Sequence, residues 1–327
     1  MQLVLDSKGL KLSKQEAVFL LESENGKRLI SPAKLTSIAI TANVWLSAAA
    51  VMLAINHDIP ILFFNRIGKA QARLWSPYFA SIATLRRQQI HFCDSTAATT
   101  WMIDLFGLKT NGQVSNLQYL KNHTTRLSTG LDTSIKQIRQ QSRKFEDHRE
   151  QLPEECRQNL MGIEGNLARL YWQSLGNALP RKYAFQKRTR RPAEDWFNAT
   201  LNYLYGMLYS IIEGGLFAAG LDPHLGILHA DEYKKPTLAF DLIEPFRPWI
   251  DRLLIEACWK DELKGTFFTK NQHGLFLNKE GKAFLIPLFN DYMRQTITYL
   301  DREATVKNHI YHMAGRLAHR IRTHEEG

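Results

Sequence analysis

The spacing of apolar residues changes near Ser76-Pro77, and that change divides the chain into two kinds of structure. Ahead of it the apolar residues alternate or come in short runs: Gln2–Leu5, Glu16–Glu22 and the β-branched stretch Leu35–Thr41. Alternation places every second side chain on one face, so these segments predict strands. Glu24-Asn25-Gly26-Lys27 reads as a turn, Ser47–Asn56 as a short helix and Ile61–Phe64 as a buried strand. A turn at Gly68 leads to a last strand over Ala70–Trp75. Beyond Pro77 helical periods take over. Helices are expected over Ile82–Phe92, Thr99–Phe106, Asn116–Ile138 and Glu154–Leu175, with the charged stretch Arg139–Arg149 as a solvated helix face or a connection. Trp196–Ala219 is apolar nearly all round, which predicts a buried central helix. The expected fold class is α+β: a small N-terminal β-rich domain, 1–76, followed by a larger all-α domain, 77–327.

Charge narrows the range of partners. The 327 residues carry a formal net charge of +10, which favours a polyanion such as nucleic acid through long-range attraction and counterion release. No run of about 20 uncharged apolar residues predicts a membrane span, and the first residues lack the pattern of a secretion signal. Cys93, Cys156 and Cys258 lie far apart with no CxxC pair, which argues against a disulfide framework or a cysteine zinc site and fits the cytoplasm.

Four residues of the helical part stand out. Glu164 shares a helical stripe with Leu160, Leu167 and Tyr171. A carboxylate there must be neutralised, by an Arg such as Arg169 or by something else, or lie at the stripe's edge. His229 closes the run Gly226-Ile227-Leu228-His229, ahead of a turn-like stretch from Ala230 to Pro236. On its own it reads as a satisfied, half-buried histidine. Asp241 and Glu244 stand three apart, which also suits a helix N-cap with its capping-box partner. Taken together, carboxylates with one imidazole suit a divalent ion, Mg²⁺ or Mn²⁺. The segment Arg181–Arg191 holds six basic residues and no acidic one, with Tyr183 and Phe185 interleaved. It reads either as a solvated loop or as a track for a DNA backbone with rings to stack a base. Arg247 would reach a phosphate or pair with Asp241 or Glu244, Trp196, Trp249 and Trp259 read as core or interface, and His309, His312 and His319 as part of a basic exposed face.

The motifs Gly220–His229 and Thr237–Pro248, with Gly162-Ile163-Glu164-Gly165 and Ala168–Tyr171 upstream, resemble the signature of the CRISPR-associated spacer-acquisition integrases. The stretch from Arg190 through Asn198, Leu201 and Tyr205-Gly206 is similar to that family's loop and central helix, and Ile59–Phe64 with Gly68 to its N-terminal part. The resemblance covers nearly the whole chain and is weakest from Thr110 to Arg157. It implies that Glu164, His229 and Glu244 are metal ligands for Mg²⁺ or Mn²⁺ and that Asp241 is a supporting acid at the catalytic site. It also implies a metal-dependent DNA endonuclease and integrase that inserts captured fragments as new spacers by transesterification. The implied assembly is a homodimer through the β domain, two dimers flanking a small partner dimer in a heterohexamer on double-stranded DNA. Two other functions compete with this one: a metal-dependent nuclease on branched repair intermediates, which would use the same site, and a non-catalytic basic DNA-binding scaffold whose carboxylates are structural.

Overall fold

Strand-forming residues crowd the first 74 positions, and the computed structural model pairs them into two four-stranded sheets. It describes residues 2–24, 26–35, 37–64, 70–74, 83–123, 128–190, 192–229, 235–272 and 274–324. The strands are β1 (Gln2–Leu5), β2 (Lys11–Gln15), β3 (Val18–Ser23), β4 (Gly26–Ile30), β5 (Ser37–Ile40), β6 (Trp45–Leu46), β7 (Ile61–Phe64) and β8 (Ala70–Leu74). One sheet runs β1-β5-β7-β8, parallel except for β8, and the other β4-β3-β2-β6. The expected strand over Glu16–Glu22 is cut at its start. Glu16 has a positive φ of 51° in the turn that folds β2 onto β3, with Gln15 opposite Val18. Helix α1 (Ala48–Asn56) begins where Ser47 accepts the Ala50 N–H, and it buries Ala50, Leu53 and Ala54. Leu5, Leu12, Phe19, Ile38 and Ile61, all almost fully buried, form this region's core. The expected turn at Gly68, the boundary at Ser76-Pro77 and the stretch from Ala230 to residue 234 lie outside the described residues.

The chain divides into two units: Met1–Ile82 with Gly206–Gly220 and Ile286–Gly315, and Ala83–Tyr205 with Leu221–Leu285 and Arg316–Gly327. The first contains the sheets just described. Here the side-chain amide of Asn290 meets the backbone of β1: Gln2 N–H donates to Asn290 Oδ1 at 3.0 Å, and Asn290 Nδ2 donates to the Gln2 carbonyl at 3.2 Å. His309 is buried and bonds the Ile297 carbonyl at 3.0 Å, so it is not part of an exposed basic face.

The second unit is mainly helical, and the fold class is α+β. Its helices include α2 (Ala83–Cys93), α3 (Thr96–His123), α4 (Ser128–Ser142) and α5 (Pro153–Ala178). They continue with α7 (Thr237–Leu242) and α8 (Arg247–Trp259), while α6 (Trp196–Ala218), α9 (Lys279–Arg294) and α10 (Val306–Thr323) contribute residues to both units. Two two-stranded hairpins add to these: β9 (Phe268–Asn271) with β10 (Gly274–Leu277) in the second unit, and β11 (Thr296–Tyr299) with β12 (Arg302–Thr305) in the first. The expected helix over Thr99–Phe106 continues without a break to His123. Of the glycines that look like a break, Gly112 serves packing, since a Cβ there would lie 2.7 Å from the Cβ of Pro248. Thr110 returns its hydroxyl to the Phe106 carbonyl at 2.8 Å. Among the described residues no helix is long and apolar enough to cross a membrane.

Candidate metal centre

The acid on the apolar stripe of α5 is neutralised from another helix. That stripe buries Cys156, Leu160, Leu167, Tyr171 and Leu175, and Glu164 stands within it. Its partner is Lys109 of α3, not Arg169. The Lys109 ammonium bonds Glu164 Oε1 and also Glu244 Oε2, the latter at 2.5 Å. Glu244 opens the short 3-10 turn Glu244–Phe246, and its other oxygen, Oε1, accepts from Arg247 Nε at 2.9 Å. Lys109 is 7% exposed and Glu244 6%. Burial alone would raise the Glu244 pKa, but the charges of Arg247 and Lys109, the Lys109 hydrogen bond and nearby His229 outweigh it and hold the carboxyl at about 2. Burial likewise opposes the Lys109 ammonium, and the charges of Glu244 and Glu164 overcome it, so its pKa lies above the ordinary lysine value.

Asp241 does not cap its own helix. It lies within α7, 1% exposed, and reaches back to the loop that carries His229. Asp241 Oδ2 accepts the N–H groups of Ile227 at 2.7 Å and Leu228 at 3.3 Å. Oδ1 accepts the His229 N–H at 3.3 Å and meets His229 Nδ1 at 2.7 Å. Nor does Glu244 serve as a capping-box partner, since its carboxylate is spent on Lys109 and Arg247. Burial works against a charged His229, but the hydrogen bond and charge of Asp241, with the charge of Glu244, prevail and raise its pKa. Gly226 is needed for the bend of this loop, because a Cβ there would lie 2.7 Å from the His229 carbonyl oxygen and from Thr237. Helix α2 holds the loop's start: Gln89 Nε2 donates to the Asp222 carbonyl at 2.8 Å, and Asp222 N–H donates to Gln89 Oε1 at 2.9 Å. Beside His229 lies a cavity of about 250 Å³ lined by Cys93, Asp94, Arg157, Leu225 and Ile227 among others.

Behind Glu244, α8 carries a buried acid that the sequence reading missed. Asp251 accepts from Tyr205 at 2.6 Å and from Tyr171 at 3.0 Å. Burial drives its pKa up to about 6, against the pull of the two phenol hydrogen bonds. Arg247 lies over the Tyr205 ring, 4.9 Å from its centroid, which ties this network to the Glu244 pair.

The basic segment divides by side chain. Tyr183 and Phe185 are buried, and Phe185 stacks on Phe197 at 4.8 Å, so neither ring is placed to stack a base. Arg188 turns inward to Asn198 Oδ1 at 2.9 Å and Asn202 Oδ1 at 2.7 Å. Arg181, Lys187 and Arg190 are exposed, with Lys187 3.9 Å from Glu194. Trp196 stacks on Phe268 and Trp249 packs edge-on to Phe246, as packing residues.

The structure therefore joins Glu164 and Glu244 through one cation and pairs His229 with Asp241. Among the described residues no three His, Cys, Asp or Glu side chains close tightly enough to hold an ion as they stand. The donor set nonetheless fits one. Two carboxylates from separate elements already converge on a single positive atom, and hard oxygens with an imidazole suit Mg²⁺ or Mn²⁺.

The family described as CRISPR associated protein Cas1 matches residues 3–291. The chain belongs to this family. A Cas1 relative from Thermus thermophilus, named a CRISPR-associated endonuclease, is 28% identical over 301 residues, covering 91% of this chain and 89% of the relative. A CAS1 protein from Thermotoga maritima superposes with a TM-score of 0.81 at 22% identity, covering all of both chains. A casposase bound to its integration product superposes with a TM-score of 0.79 at 21% identity, over all of this chain and 92% of that one. At these identities the two structures carry the Cas1 fold, and the family match carries the membership.

Proposed function

We propose that this chain is a metal-dependent DNA endonuclease and integrase that joins captured DNA fragments into a CRISPR array by transesterification. In this reading it forms a homodimer, and two such dimers flank a small partner dimer in a heterohexamer. The observation that carries the reading is the convergence of Glu164 and Glu244 on one cationic atom beside the His229–Asp241 pair. Support comes also from the relative named an endonuclease and from the similar fold of a casposase bound to an integration product.

Glu164, Glu244 and His229 would hold Mg²⁺ or Mn²⁺. Such an ion, when bound, polarises a phosphate and stabilises negative charge on a leaving oxygen. The chain's own residues prepare the site. Asp241 takes His229 Nδ1, which fixes the ring's orientation and leaves Nε2 as the nitrogen for a ligand. Three backbone N–H groups on the same carboxylate hold the loop still. Arg247, one residue past the Glu244 turn, adds a permanent positive charge at the site. The exposed Arg181, Lys187 and Arg190 and the net charge of +10 draw in DNA.

The test is strand transfer of a fluorescent duplex into a repeat-containing plasmid, with the partner protein and Mn²⁺, comparing wild type with His229→Ala. Joined product from wild type only, lost in EDTA while DNA binding persists, is the expected result. Equal product from both removes His229 from the mechanism. Cleavage without joining indicates a repair nuclease, and binding with neither reaction indicates a scaffold.

A further inference from the structure

The lysine that sits between the two acids has no place in the ligand set above. We propose that Lys109 is the resident counter-ion of the metal-free site, and that its ammonium and a divalent ion hold Glu164 and Glu244 by turns, never together. The inference rests on the metal-site reading and adds a positioning residue to it.

Three observations carry it. First, Lys109 is fixed in the interior by a 28-residue helix whose Thr110, Gln113 and Asn116 are also buried. A buried ammonium is stable only when paired, and here both partners are acids proposed as ligands. Without it, Glu164 and Glu244 would face each other as like charges in a region poor in water. Second, both oxygens of Glu244 are already committed, Oε2 to Lys109 and Oε1 to Arg247, and Glu164 gives Oε1 to the same ammonium. An ion bound at the usual metal–oxygen length of about 2 Å needs the oxygens that point at each other, and those are the ones around Lys109 Nζ. An ammonium and a divalent ion cannot both occupy that space, since they repel at contact distance. Third, a lysine can leave. Its four-carbon stem is flexible and its charge compact, so withdrawal needs rotamer changes and no backbone movement.

The exchange has a use. The acids stay ordered before the ion arrives, and loading replaces one positive charge with two while keeping the displaced ammonium close by. The site thus gains positive charge as it receives a polyanion. The cost is that the free chain binds its ion more weakly than its ligands alone would.

Titration calorimetry of the full chain with Mn²⁺ tests this, using wild type, Lys109→Gln and Lys109→Arg, with thermal melting in parallel. Lys109→Gln is expected to bind Mn²⁺ at least tenfold more tightly than wild type. It should melt lower without the ion and recover with it. Lys109→Arg keeps a cation on the carboxylates and should bind no more tightly than wild type. A purely structural lysine would give the lower melting point but not the tighter binding. If Lys109→Gln folds only with Mn²⁺, the inference is supported in another form. If it fails to fold with or without Mn²⁺, or binds as weakly as wild type or more weakly, the inference is overturned while the metal site stands. Binding by neither protein overturns the metal-site reading, and the inference with it.

Discussion

Replacing Asp241 with Asn keeps the side chain's shape and removes its charge, which isolates what the carboxylate does. Four donors converge on its two oxygens: the Ile227 and Leu228 N–H groups on Oδ2, and the His229 N–H and Nδ1 on Oδ1. Asparagine has only one acceptor oxygen. With its NH₂ end toward Ile227 and Leu228 it faces two donors, at 2.7 Å and 3.3 Å; turned the other way it faces the His229 N–H at 3.3 Å, and His229 Nδ1 keeps a bond only by changing tautomer and accepting. A hydrogen bond to a charged group is worth about 1.5–3 kcal/mol. At the lower value the loss of one or two is about 1.5–3 kcal/mol. For a unit of this size that is a fall in melting temperature of roughly 3–12 °C. Circular dichroism melts of metal-free wild type and Asp241→Asn measure it, with hydrogen exchange of the amides of residues 227–229 as the local readout. The His229 pKa, followed by NMR, should fall in the variant, because the hydrogen bond and charge that raise it are gone. Two equal melting curves with unchanged protection of the three amides would refute the claim that this carboxylate holds the loop.

Three further outcomes follow from named contacts. Because the Glu244 pKa is depressed to about 2, its contribution to stability is present above about pH 4.5 and is lost as pH falls from there toward 2. Unfolding measured across that range should show a steeper acid loss in wild type than in Glu244→Gln. Asp251 is shifted the other way, to about 6, so its burial costs stability as pH rises from its ordinary value of 3.8 through 6. Tyr205→Phe removes a hydrogen bond that lowers this pKa and should extend the loss to higher pH, with about 1–3 kcal/mol lost at neutral pH in urea titrations; an unchanged pH profile would contradict the pairing. Gly176→Ala places a Cβ 2.3 Å from the Phe185 carbonyl oxygen and 3.2 Å from its ring, and overpacking of this kind costs about 1–3 kcal/mol. Full stability of that variant in the same titrations would contradict the close approach.

Local pattern made much of the fold legible, and it failed where tertiary contacts decide. β1, β7 and α1 follow from alternation, a short apolar run and a serine cap. The β11–β12 hairpin has no such signal. It turns through Leu300 and Asp301, both at positive φ (49° and 58°), where Asn-Gly would have marked the turn. Gly274, at φ 115°, opens β10, but the short strands on either side are not separable from their helical neighbours by period. At the site, the family motif pointed to Glu164, His229, Asp241 and Glu244. Periodicity alone left each open to an ordinary structural role. Lys109 was hidden because the polar stretch around it, with Gly107 and Gly112, resembles a break between helices. Its polarity reflects what it faces: a helix that points a lysine, a threonine and two amides into the interior loses the apolar stripe by which helices are recognised.

The bond between Asn290 and the backbone of β1 also bears on the order in which the chain can fold as it is made. Gln2 leaves the ribosome long before its partner, since the amide that completes its edge is 288 positions behind. The sheets of the first unit can gather around Leu5, Phe19 and Ile38 early, but Gln2 lacks this partner for its backbone until Asn290 has been made. Closing so long a loop is slow, and an exposed strand edge invites pairing with other chains meanwhile. A nascent chain stalled before Asn290 should therefore be more prone to aggregation than one extended past α9, and that helix acts as the latch on β1.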